Sequence, residues 1–134
     1  MTAEFTIHAE PTGKARPRVT RFGAYTPKKT KQYEDLVKAE YISQCLGADF
    51  ADNALEITVI AIYPIPKSAS KAKRAKMLAG EIRPTKKPDY DNICKAICDA
   101  LNGVAYKDDA QIVDAHVLKY YSEIPRVEVT IEEV

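Results

Sequence analysis

The run from Tyr90 to Asn102 constrains the fold of this 134-residue chain more than any other. Ile93, Ala96, Ile97, Ala100 and Leu101 recur in it at helical spacing. On a wheel of about 100° per residue with Asp91 at the origin, they fall between about 140° and 280°. Lys95 falls near ~40°, Asp99 near ~80°, Asn92 near ~100° and Cys98 near ~340°. A helix divided in this way docks its apolar side on another layer. Its other side, carrying Asp91, Lys95 and Asp99, stays free for solvent or a ligand.

That second layer reads as a sheet. Residues 4–10 alternate polar and apolar like a half-buried strand, and Pro11-Thr12-Gly13 breaks it. Residues 14–25 form a basic loop or short hairpin in which Phe22 and Tyr25 interleave with charge. Thr26-Pro27 predicts a helix N-cap followed by proline at the first helical position. That helix runs to about Leu46, with Tyr33, Leu36, Val37, Glu40, Tyr41 and Cys45 on one side, and Gly47 ends it. Ala54–Tyr63 predicts a well-buried strand closed by Pro64-Ile65-Pro66. Ser68 or Ser70 caps a short basic helix ending at Gly80. After the helix that Gly103 terminates, Ile112–Tyr121 and Arg126–Glu132 read as two more strands. They are expected to pair antiparallel across Ser122–Pro125. The fold class is α+β, a small mixed β-sheet covered by helices in the order β-α-β-α-α-β-β, and residues 1–134 make a single domain.

No apolar run approaches the roughly 18 residues of a membrane span, and the N-terminus lacks the pattern of a signal peptide. The expected location is cytoplasmic, with no membrane partner. Cys45, Cys94 and Cys98 make an odd count, which argues against a disulfide scaffold. Cys94 and Cys98 can be half of a zinc site or two small, partly buried helix residues. The histidines, His8 and His116, lie in distant strand-like segments, so the packing reading is preferred.

A net charge of +1 hides strong segregation. Residues 11–33 carry Lys14, Arg16, Arg18, Arg21 and three further lysines, and no acid. Residues 67–87, ending in Lys86 and Lys87, carry eight basic residues against Glu81 alone. From Pro88 onward the balance reverses. Such asymmetry fits a polyanion bound beside a carboxylate cluster.

The carboxylates of interest are Asp89, Asp91, Asp108 and Asp109. Pro88 disfavours helix at Lys87, so Asp89 sits at or before the helix start and can point to the side of Asp91. Singly, each has an ordinary explanation. Asp89 can cap the helix, Asp91 can complement its dipole, Lys95 can pair with Asp91 or Asp99, and Asp108-Asp109 can be a turn. Together, beside two basic blocks, they form an oxygen-ligand set for a divalent ion holding a phosphodiester. Such acids repel one another until a cation joins them, and the ion stabilises charge developing at phosphate. Lys95 can neutralise phosphate or orient water.

The segment Lys87-Pro88-Asp89-Tyr90-Asp91-Asn92, then Lys95, Asp99-Ala100-Leu101-Asn102-Gly103, Tyr106, Asp108-Asp109 and Gln111, resembles the RusA family of Holliday junction resolvases. The pattern KPDxDNxxKxxxDALNGxxYxDDxQ is present in full. Gly13–Arg18, Tyr25-Thr26-Pro27 and Pro64–Ser68 agree with phage-type members, so the resemblance spans essentially the whole chain.

The resemblance implies a RusA-like fold and a homodimer that cuts four-way DNA junctions symmetrically, in DNA recombination and repair. It implies Mg2+, with Mn2+ as a substitute, and no small-molecule cofactor. It assigns metal binding to Asp89, Asp91 and Asp109 with Asp108 as neighbour, and catalysis to these acids together with Lys95. It points to Lys86 and Lys87 at the branch point. A two-fold dimer suits the two-fold junction. Lys14, Arg16, Arg18 and Arg21 are the further DNA-binding candidates, with Phe22 or Tyr25 able to stack on exposed bases. The same residues would serve a metal-dependent nuclease acting on flaps or forks. A non-catalytic DNA-binding protein is a further alternative.

Overall fold

The computed structural model describes all residues except Arg16, Pro17 and Thr26, and the side chains of Arg18 and Tyr25. The expected DNA contacts of Arg16 and Arg18, stacking by Tyr25 and the Thr26 cap lie outside the described residues.

The elements are β1 (Thr2–Ile7), β2 (Arg18–Thr20), β3 (Gly23–Tyr25), α1 (Lys28–Cys45), β4 (Leu55–Pro64), α2 (Lys71–Leu78), α3 (Tyr90–Leu101), a 3-10 turn (Asp109–Gln111), β5 (Ile112–Ser122) and β6 (Arg126–Glu133). They form the expected α+β domain. Four strands make one mixed sheet in the order β1-β6-β4-β5, and β2 and β3 form a separate hairpin.

The expected β5–β6 pair does not form. Strand β4 lies between them, parallel to β5 and antiparallel to β6. The reason is the apolar load of β4, whose Leu55, Ile57, Val59, Ala61, Ile62 and Tyr63 are all buried. A strand this apolar belongs in the sheet interior. The link Glu123–Pro125 need only cross two strand spacings, about 9.6 Å, within reach of a short extended segment.

The inward side of the sheet is built of matched rows. Phe5 faces Val129, which faces Val59, which faces Val117. Helices α1 and α3 cover this side, contributing Tyr33, Val37 and Tyr41 from the first and Ile93, Ile97 and Leu101 from the second. The apolar side expected of α3 is therefore the docked side, with Cys98 buried beside it. In α1 the buried stripe is Thr30, Tyr33, Val37 and Tyr41. Leu36 falls off this stripe and is exposed, contrary to expectation.

Local signals act largely as read. Ser70 Oγ accepts from Lys73 N and caps α2. Pro27 occupies the N-cap position of α1 rather than its first turn. Leu46, not Gly47, is the first left-handed residue after α1. No helix among the described residues is long and apolar enough to cross a membrane.

Candidate active site

The segment 86–89 is pinned before α3 begins. Tyr63 Oη donates to the Pro88 carbonyl at 2.7 Å. Lys119 Nζ donates to the carbonyls of Lys86 and Pro88 at 2.7 and 3.1 Å. Two strand residues thus aim Asp89, and burial together with the Asp89 charge pushes the Tyr63 hydroxyl up to about 12. Asp89 occupies the N-cap position of α3, yet its side chain makes no capping hydrogen bond. Asp91, in the first turn, forms no ion pair with Lys95 among the described residues. Both carboxylates are exposed.

Asp91 separates two depressions. One is lined by Asp89, Asp91, Lys86, Lys87 and Lys119. The other, about 540 Å³, is lined by Asp91, Lys95, Asp109, Cys94 and Cys98. The structure therefore brings Asp91, Lys95 and Asp109 to one cavity, with Asp89 on the neighbouring side of Asp91. The carboxylates do not close into a tight cage. Among the described residues, the one group of three metal-ligating side chains within 4.8 Å of one another is Glu56, Asp114 and His116. That group could hold a metal ion, but it lies elsewhere. Asp114 and His116 alternate along β5 with Ala115 and Val117, which line the α3 cavity, so they face the other side of the sheet.

Lys95 Nζ pairs with Asp99 Oδ1 at 3.0 Å. This hydrogen bond and the Asp99 charge hold the Lys95 ammonium above the usual lysine range. Burial raises the Asp109 carboxyl above the usual range, Lys95 opposes the shift, and Asp108 and Asp99 add to it. Asp109 is thus a half-buried acid short of positive charge.

Several supporting residues carried no assigned role in the sequence reading. Asn102 Oδ1 accepts from Asp109 N at 2.8 Å and fixes the turn that presents this acid. Gln111 Oε1 accepts from the backbone of Lys107 and Asp108, and its amide donates to Ala51 and Asn53. Tyr106 Oη donates to the Cys98 carbonyl inside the core. All three belong to the motif, and their spacing did not disclose these contacts.

The basic candidates divide. Lys14 is half-buried and pairs with Glu34 and, at 3.3 Å, with Asp99 Oδ2. Burial alone lowers its pKa, but the contacts with Glu34 and Asp99 outweigh this and raise it. Lys14 therefore sits in an internal network beside the cavity. Gly13 packs on α3, where an added Cβ would meet Pro88 Cβ at 3.1 Å and Asn92 Cβ at 3.2 Å. The loop borders a groove of about 900 Å³ shared with Lys29, Lys87 and Asp89. Lys86 and Lys87 are exposed. Arg21 lies 5.0 Å over the ring of Phe22, which is 87% exposed at the hairpin tip.

The family described as endodeoxyribonuclease RusA matches residues 8–132. The chain is also 42% identical, over 98% of its length and 96% of the relative's, to a Bacillus subtilis (strain 168) protein printed as uncharacterized protein YqaN. A match over nearly the whole domain, acidic site included, settles the affiliation: the chain belongs to the RusA family of endodeoxyribonucleases.

Proposed function

We propose that this protein is a homodimeric, magnesium-dependent endonuclease that resolves four-way DNA junctions by paired symmetric cuts. The observation that carries the reading is the convergence of Asp91, Asp109 and Lys95 on one cavity, with Asp89, Lys86 and Lys87 beside it.

The donor set fits a hard divalent ion. Asp89 and Asp91, at the start of α3, make no side-chain hydrogen bond or ion pair among the described residues, and burial raises the Asp109 pKa, which a cation would relieve. Magnesium keeps several of its waters, so carboxylates too far apart to share it directly would reach it through them. Asp89, Asp91 and Asp109 would hold the ion, directly or through its waters, with Asp108 adjacent. When bound, it supplies Lewis-acid stabilisation of charge developing at phosphorus.

The chain's own residues do the rest. Asp99 holds the Lys95 ammonium beside the cavity that Lys95 lines, where it would neutralise a non-bridging phosphate oxygen. Lys86 and Lys87 hold the backbone flanking the cut, and the groove past Gly13 and Lys29 receives a strand. Phosphate contacts of this kind position DNA without reading sequence, so selection rests on junction shape. The exposed Phe22 offers a stacking surface at the crossover.

The test is cleavage of a synthetic mobile four-way junction with magnesium, beside linear duplex and flap substrates of matched sequence. Paired nicks on the junction alone support the reading. Equal cutting of flaps would make the protein a general branched-DNA nuclease. Light scattering on the free protein tests the dimer.

A further inference from the structure

Cys94 and Cys98 have no part in this chemistry, yet both line the cavity that holds Asp91 and Asp109. One helical turn separates them on α3, and their sulfurs lie 3.8 Å apart. Two thiolates bound to one tetrahedral ion, with metal–sulfur bonds of about 2.3 Å, stand about 3.8 Å apart. The pair therefore already spans one edge of such a site without helix movement. Cys94 is half-buried, Cys98 is 7% exposed, and both are free thiols.

We propose that Cys94 and Cys98 bind a thiophilic divalent ion of the zinc class, its coordination completed by solvent in the cavity, and that its occupancy beside Asp91 and Asp109 blocks DNA cleavage. Soft sulfur ligands select this class, whereas magnesium takes oxygen donors and gains nothing from the thiols. Binding releases the two thiol protons to buffer. The two ions are thus chosen by different atoms within one cavity. Inhibition rests on the nuclease reading above; ion binding does not.

The test begins without DNA. Reduced full-length protein is titrated with Co2+ and Cd2+, and sulfur-to-metal charge-transfer absorbance is followed. One equivalent should saturate the band. Cys94→Ser and Cys98→Ala, the second adding no buried polar group, should each remove most of it. Cys45→Ser should retain it. Absence of the band, or its survival in both cavity variants, would overturn the site. Cleavage is then measured in excess magnesium with added zinc. Half-inhibition should require at least ten times more zinc for Cys94→Ser than for the parent. Equal sensitivity would overturn the inhibitory role. A protein that cuts no substrate but shows the band would refute the nuclease reading and leave the ion site standing.

Discussion

Lys95 Nζ lies 3.0 Å from Asp99 Oδ1, one turn along α3, and the other oxygen of that carboxylate takes Lys14 at 3.3 Å. Asp99 is thus a buried-side hinge between the N-terminal basic loop and the lysine proposed to meet phosphate. A surface pair with this spacing contributes about 0.2–0.5 kcal/mol. The consequence here is positional rather than energetic.

Asp99→Asn should therefore cut the cleavage rate about 10- to 100-fold, the size of one lost charge-assisted hydrogen bond of about 1.5–3 kcal/mol. Junction affinity should hold. Because Asp99 holds the Lys95 pKa up, its removal should move the alkaline limb of the pH–rate profile to lower pH. An unchanged profile would separate Lys95 from the reaction.

Gly13→Ala tests the seating of the N-terminal loop. The new methyl would press on Pro88 and Asn92 at Cβ atoms that cannot swing aside. A stability loss of about 1–3 kcal/mol is expected by denaturant titration. Cleavage should fall with it, because the loop borders the groove that includes Asp89.

Much of this was legible in the sequence because the signals were local. The α3 start at Tyr90, its docked residues and the Ser70 cap follow from helical period and capping chemistry. The place of β4 between β5 and β6 was not, because a short link between two strands reads as a hairpin. Only the burial of β4 decides otherwise. At the site, spacing pointed to the polar stripe of α3 but left two lysine partners open. The folded chain forms Lys95–Asp99 and leaves Asp91 unpaired among the described residues. Glu34, distant in sequence, captures Lys14, which composition alone presents as a free cation.

Asn102→Ala should weaken the turn that presents Asp109. The backbone N–H of Asp109 loses its acceptor, a cost of about 1–3 kcal/mol if it remains shielded from water. Calorimetry should show reduced magnesium affinity in a protein whose circular dichroism is unchanged.

Asp109→Asn should stabilise the free protein while removing activity. The Asp109 pKa is raised above 3.8, so the folded state holds this proton more tightly than the unfolded chain. Its contribution to stability falls as pH climbs from 3.8 through the raised value, and the charged form is unfavourable at neutral pH. The variant should melt higher than the parent at pH 7 without metal. Magnesium at 100 times its dissociation constant should stabilise the parent by about 2.7 kcal/mol. It should stabilise the variant much less.

The most direct measurement pairs binding with cutting for Asp91→Asn on a mobile four-way junction. The substitution removes one negative charge at a site facing phosphate and leaves the core untouched. Cleavage should disappear while junction affinity is kept or increased. Loss of junction binding by a correctly folded variant, or cutting at the parent rate, would contradict the assignment of this site.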